Sequence, residues 1–271
     1  MSRETKEGGR LARETGRAVF GIDPAGYHAA RLDYPPELYA TIRGHIGGQA
    51  VGAIAEIGAG TGLATQHLLP MATDRYVAIE PDPALSAYLC AAFPDGRLDV
   101  ANADFIAAPV VGPFDLIAAA SVFHWLDPEA ALRRINVLLR PGGSVAIWWN
   151  AYRNPGIGDA FADATMPLLA GLDLPPSEST HGHYSLDTDL HRFALARAGF
   201  RDIGHHVFRR ERMLSAAQAQ ALYASYSFVR MLPDRHRDAL LRAIGDLVDR
   251  AFGGAAPNVV LTALYLGRRA A

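Results

Sequence analysis

An α/β fold with a mostly parallel sheet and helices on both faces is what the 271-residue sequence predicts. Three observations carry that expectation. A short apolar strand, Ala53-Ile54-Ala55-Glu56-Ile57, breaks at once into glycines spaced two apart, Gly58, Gly60 and Gly62. Strand-like stretches at 76–79, 98–100 and 114–121 then alternate with helical stretches at 83–93 and 128–139. The run from Phe114 to Ser121 is nearly all apolar, as a central parallel strand covered on both faces should be.

The first turn is built to admit a ligand. Glycines there take positive φ and leave no Cβ between the backbone amides and whatever lies above them. The dinucleotide fingerprint G-x-G-x-x-G does not fit, because Leu63 stands where its third glycine belongs and Gly62 comes one residue early. Glu56 adds a carboxylate that would repel a pyrophosphate and hold an amino group or cation. The bland alternative is a structural Gly-rich turn. The second strand, Tyr76 to Ile79, ends at Glu80, followed by Pro81 and Asp82. An acid at that strand end can bind both hydroxyls of a ribose, although a surface carboxylate would read the same way.

Bulk composition narrows the partners. Hydrophobic residues make up 50% and charged residues 20%, an ordinary globular balance. The formal net charge of −2 argues against nucleic acid as the principal partner. Lys6 is the single lysine among 26 basic residues, and the arginines are scattered. Cys90 is alone, which leaves no intrachain disulfide and no cysteine metal site. The polar N-terminus reads as neither signal peptide nor anchor, and no window is long and apolar enough to span a bilayer. The expectation is a cytoplasmic protein, monomer or homodimer, with no membrane and no nucleic-acid partner.

Along the chain, residues up to about Arg17 read as frayed or a short helix. Tyr27 and Arg31 are four apart, so on a helix they share a face. Pro35-Pro36 starts a helix from Glu37 to Ile46. A helix is expected from Leu63 to Leu69, closed by Pro70. Asp104-Phe105 follows the third strand, and Asp104 there also fits the cap of a turn. The fourth strand opens into Val122-Phe123-His124-Trp125-Leu126-Asp127-Pro128, and the next helix stops at Arg140-Pro141-Gly142-Gly143 before a strand from Ser144 to Trp149. Regular alternation fails between Asn150 and Leu186. A helix from Asp187 to Ala198, a strand from Ile203 to Glu211, a helical insertion over 215–252 and a last strand from Asn258 to Leu266 complete the reading. The helix Arg235 to Phe252 carries one apolar stripe, Leu240, Leu241, Ile244, Leu247 and Val248, which is packing.

E-x-G-x-G-x-G after a strand, the Tyr27…Arg31…Tyr34-Pro35 segment, and FDLI…HW…LLRPGG between the fourth and fifth strands resemble the type-11 small-molecule members of the class I S-adenosylmethionine (SAM) methyltransferases. The agreement runs from Tyr27 to Asn150. The resemblance implies a Rossmann-like sheet of seven strands, the last antiparallel and inserted between the fifth and sixth, with helical lid insertions. It implies SAM as cofactor, a methyltransferase activity, and a cofactor set of Glu56, Gly58, Gly60, Thr61 and Gly62 on the first turn. Glu80, Pro81 and Asp82 follow on the second, Asp104 and Phe105 at the adenine, Ser121 after the fourth strand, and Tyr27 or Arg31 at the methionine end. A surface ion pair is the competing reading of Arg31. The domain expectation is an N-terminal cap or lid over 1–46, a SAM-binding core over 47–150, a lid insertion over 151–186, and the rest of the core over 187–271 with its helical insertion. The segments from Phe20 to Tyr34 and Asn150 to Tyr184 are expected to close over bound cofactor.

Methyl transfer from a sulfonium is an in-line displacement, so catalysis is mostly placement and water exclusion. Some acceptors also need a base. His124 is the first candidate, just beyond the fourth strand, with a packing histidine as the competing reading. His181 and His183 on the lid are alternatives, and as a metal pair they lack a third ligand, so no metal is expected. Trp125, Trp149, Tyr184 and Tyr226 would wall an aromatic or heteroaromatic acceptor, while Arg230 favours a carboxylate. Trp148 and Trp149 point to opposite faces, and which one faces the ligand stays open. The rival functions are a SAM-binding regulator or cyclisation catalyst on the same scaffold and, last, an RNA methyltransferase.

Overall fold

The computed structural model describes residues 20–48, 51–152, 158–172, 178–179 and 182–270. The stretch before Arg17 and the candidate His181 lie outside them.

Seven strands form one sheet: β1 (Val51–Ile57), β2 (Ala72–Ile79), β3 (Leu98–Ala101), β4 (Phe114–Ala120), β5 (Leu139–Ala151), β6 (Phe200–Ser215) and β7 (Ala255–Arg269). Their order is β3-β2-β1-β4-β5-β7-β6. The first five run parallel, with Ile57 opposite Ile79 and Ala119, and Ala120 opposite Trp148. β7 runs antiparallel to β5, Trp149 opposite Ala263, and sits between the fifth and sixth strands as the resemblance implies. Strand order reverses between β1 and β4. The crevice outside their carboxyl ends is where open α/β sheets take ligands.

Local chemistry explains the helices that load this edge. Asp82 and Asp127 each precede a proline at the first helical position and cap the chain behind them. Asp82 accepts from the amides of Ala84 and Leu85 ahead of the helix Pro83–Ala92, and Asp127 from Ala130 ahead of Pro128–Leu138. The helix expected from Leu63 to Leu69 is shorter, Thr65–Leu68, and tightens into a 3-10 turn at Leu69–Met71. Pro70 has no N–H to continue an α-helical ladder.

Contacts divide the chain into two compact units. One comprises 33–151, 185–208 and 261–271. One apolar cluster there joins Leu38, Ile42, Ile54, Leu68, Tyr76, Leu116 and Trp148, all at zero exposure. The other comprises residues up to 32, 152–184 and 209–260. There Leu240, Ile244 and Val248 of the helix Asp234–Phe252 pack with Phe161, Leu222 and Tyr223, and Gly253, at φ +63°, ends that helix in the left-handed region. Leu241 and Leu247, the rest of the expected stripe, are partly buried. No helix among the described residues is long and apolar enough to cross a membrane.

Candidate active site

The glycine turn after β1 divides its labour. All three glycines have positive φ: +65° at Gly58, +58° at Gly60 and +87° at Gly62. A Cβ on Gly58 would stand 2.3 Å from Val122 Cγ2, and one on Gly62 would stand 2.2 Å from Phe93 Cε2. Those two glycines let side chains of the protein close in. At Gly60 nothing comes nearer than the Gly58 carbonyl at 4.0 Å, so space is left open above the middle of the turn.

Glu80 ties that turn to the end of β2. It is 5% exposed, and its Oε2 accepts the Gly60 amide at 2.9 Å while Oε1 accepts the Asp82 amide at 3.0 Å. A carboxylate oxygen accepts more than one hydrogen bond, so these amides orient the group without exhausting it. Asp82 itself is spent on its helix cap. Pro81 is exposed, and Thr61 is buried beside the glycines.

Glu56, expected to hold an amino group or cation, is buried, at 1% exposure. Its Oε2 accepts from Thr65 Oγ1 at 2.6 Å and from the Tyr76 hydroxyl at 2.5 Å, which braces the turn from below. Oε1 is buried without a partner. Burial pushes this carboxyl up to about 7, against the two hydrogen bonds, which favour its charge, and with a smaller push from the Glu80 charge. The same burial, followed by the Glu56 charge, raises the Tyr76 phenol well above 10.

At the third strand end, Asp104 Oδ1 accepts the Ile106 amide at 2.9 Å, the turn-capping alternative weighed for it. Phe105 is turned inward, 3% exposed, under the Arg134 guanidinium at 5.5 Å. Its ring lines no open surface in this state. Ser121, just beyond β4, holds φ +53°, a strained value for a residue with a side chain. Its amide donates to the Trp148 carbonyl at 2.7 Å, and its Oγ accepts from the Tyr34 hydroxyl at 3.0 Å.

His124 sits in the 3-10 turn Phe123–Trp125. Its Nδ1 accepts the Trp149 indole N–H at 3.1 Å, and the Trp125 ring lies 4.8 Å away. The two tryptophans take opposite surroundings. Trp149 faces His124, while Trp148 is wholly buried against Tyr34 at 5.7 Å and Tyr39 at 6.3 Å. Trp149 is itself only 1% exposed, so it serves less as an acceptor wall than as a partner of the imidazole.

The second unit gathers the other candidates around Arg31. This residue lies one position past the helix Pro24–Ala30, in extended conformation, and its guanidinium folds back over Tyr27 at 5.2 Å. It also stands 5.3 Å from the Tyr152 ring and 5.0 Å from that of Tyr226. It donates to the Ser225 carbonyl at 3.0 Å, and none of the ion pairs among the described residues uses it. That removes the surface-ion-pair reading. Tyr226 is 5% exposed and stacks on Phe228 at 5.5 Å, a packed ring and not an open wall. Arg230 donates to the Ala224 carbonyl at 3.1 Å, and burial lowers its pKa. His183 lies in the short ribbon that pairs Glu178 with it, and the half-buried Tyr184 follows. Among the described residues no group of three or more His, Cys, Asp or Glu could hold a metal ion.

The stretch from 55 to 145, which contains the glycine turn, Glu80 and His124, matches the family model described as "Methyltransferase domain". Residues 55–145 carry a methyltransferase domain. An uncharacterized methyltransferase of Schizosaccharomyces pombe is 31% identical over 137 residues, 50% of this chain and 54% of that protein. The alignment therefore spans about half the length of that relative. A methyltransferase-like protein of the same yeast, also uncharacterized, is 25% identical over 234 residues, covering 84% and 85% of the two chains. Among solved structures, a protein of Anaeromyxobacter dehalogenans assigned as a type II methyltransferase superposes with a TM-score of 0.63 at 18% identity, covering 89% of this chain and 98% of that one. That last likeness is one of fold.

The residues of this methyltransferase domain fit the cofactor its family uses. Two observations test the fit: the space above Gly60 that a Cβ would invade, and the partnerless buried Glu56 Oε1, an acceptor suited to an ammonium group. Gly60→Ala should expose the first of these. A left-handed φ costs a side chain about 1–2 kcal/mol, so stability should fall by that order. Affinity for S-adenosylhomocysteine should fall at least about tenfold, because the methyl occupies ligand space. Calorimetric titration beside thermal unfolding separates the two, and an unchanged affinity would move the ligand away from this turn.

Proposed function

We propose that this chain transfers the methyl group of SAM to a small-molecule acceptor. The observation that carries the proposal is the Gly60 cradle, joined to Glu80 by a hydrogen bond at the point where strand order reverses. In this reading Glu80 receives the ribose hydroxyls, Glu56 Oε1 the amino group, and Asp104 with the Phe105 amide the adenine edge. Thr61, Gly62, Pro81, Asp82 and Ser121 complete the surround, and Tyr34 holds the Ser121 hydroxyl. SAM supplies an electrophilic methyl on a good leaving group, and the protein's task is to align the acceptor and exclude water. Tyr27, Arg31, Tyr184, Tyr226 and Arg230 are the residues assigned to choosing the acceptor.

A small molecule suits the chain better than RNA, since the formal charge is −2 with basic residues scattered. Incubation with methyl-labelled SAM and a panel of phenols, N-heterocycles and carboxylic acids tests the proposal. Label is expected in a small-molecule product. Saturable SAM binding without transfer to any member would favour a SAM-binding regulator or cyclisation catalyst instead.

A further inference from the structure

Two consecutive residues, Asp33 and Tyr34, join the chain after β1 to the chain after β4. Asp33 Oδ2 meets His67 Nε2 at 2.7 Å, on the helix Thr65–Leu68 that follows the glycine turn, and Asp33 Oδ1 accepts the Tyr34 amide at 2.7 Å. The Tyr34 hydroxyl then donates to Ser121 Oγ at 3.0 Å, just beyond β4. A residue with a side chain at φ +53° persists only where its surroundings over-determine it. Ser121 is restrained through its amide, which donates to the Trp148 carbonyl, and through its hydroxyl, which accepts from Tyr34. The two restraints support each other, because the Tyr34 ring stands edge-on to the Trp148 ring at 5.7 Å and 87°. Tyr34 is 6% exposed and Trp148 is wholly buried, so this triangle has little freedom. What the turn delivers is Val122. Its Cγ2 lies so close over Gly58 that a Cβ there would stand 2.3 Å away, and Val122 thereby packs on the first glycine of the cradle.

We infer that Tyr34 is a positioning residue of the SAM site, whose hydroxyl, acting through Ser121, holds the left-handed turn that sets Val122 against Gly58. The inference rests on the SAM reading above. Tyr34 acts through Ser121 and Val122 and needs no contact of its own with the cofactor. Without the hydroxyl, Ser121 loses the restraint on its side chain, and a left-handed serine relaxes toward the φ values that side chains prefer. That rotation turns Val122 off Gly58 and loosens the cradle at the point where strand order reverses.

Tyr34→Phe keeps the ring on Trp148 and removes only the hydroxyl. Calorimetric titration of this variant with S-adenosylhomocysteine should show affinity about tenfold weaker than in the parent, and Ser121→Ala should lose about as much. The double variant should lose no more than either single one, because both substitutions remove the same link. Thermal unfolding is measured beside each titration. A bond that served folding alone would lower the unfolding midpoint of Tyr34→Phe and leave its affinity unchanged, and that result overturns the inference. Losses that add in the double variant overturn it too, since Tyr34 would then act on the cofactor without Ser121. If Tyr34→Phe does not fold, Ser121→Ala decides alone, a tenfold loss supporting the inference and an unchanged affinity overturning it. Non-additive unfolding midpoints in a protein whose parent form binds no S-adenosylhomocysteine sink the SAM reading and not the link between Tyr34 and Ser121.

Discussion

Glu80→Ala is expected to weaken binding of S-adenosylhomocysteine by about 2 to 3 kcal/mol, roughly 30- to 150-fold. The size follows from losing hydrogen bonds to a charged acceptor. The native bonds also say why the effect should be specific. Glu80 draws the Gly60 amide and the Asp82 amide toward one carboxylate, so the variant loses the ligand's acceptor and releases the cradle together. Glu80→Gln keeps an acceptor oxygen and should lose less. Thermal unfolding, run alongside the calorimetry, isolates any folding cost of the two stranded amides. A variant that folds and binds as tightly as the parent would remove Glu80 from the ribose.

The second large effect is on stability, and its sign depends on pH. Glu56 titrates near 7 in the folded protein, against 4.5 ordinarily, chiefly because it is buried. A carboxyl whose pKa is raised on folding binds its proton more tightly in the native state. Its contribution is therefore most favourable below about 4.5, is lost as pH climbs toward 7, and stays lost above. At 1.36 kcal/mol per pH unit the span from 4.5 to 7 corresponds to about 3 kcal/mol. Glu56→Gln removes the ionisation while its amide oxygen can still accept from Thr65 and Tyr76. The variant should gain on the parent by up to about 3 kcal/mol at pH 8 and by little at pH 5. Denaturant unfolding at both values decides it. A gain equal at the two pH values, or confined to pH 5, would show that the buried group does not titrate as described.

The part of the site legible in the sequence is the part written in consecutive residues. Gly58, Gly60 and Gly62 announce a turn needing positive φ, and all three adopt it. Asp82-Pro83 and Asp127-Pro128 mark helix starts that the capping bonds bear out. What could not be read there depends on strand register. Glu56 meets Tyr76 only because β1 pairs with β2 so that Ile54 faces Tyr76, which puts Glu56 and the tyrosine on one face. Period-two alternation separates Trp148 from Trp149 without saying which one meets His124. That answer comes from the pairing of Ala120 with Trp148. The unit boundaries near 208 and 260 fall inside β6 and β7, strands with no break in composition to betray them. The place of the last strand in the sheet came from family resemblance and from nothing in its own residues.

Calorimetric titration of the protein with S-adenosylhomocysteine and, in parallel, with NAD distinguishes a SAM site at the turn from Gly58 to Gly62 and Glu80 from a dinucleotide site. Saturable one-to-one binding of S-adenosylhomocysteine, reduced in Glu80→Ala, is expected, with no heat of binding from NAD. Binding of NAD, or saturable S-adenosylhomocysteine binding that Glu80→Ala and Gly60→Ala both leave intact, would contradict a SAM site there.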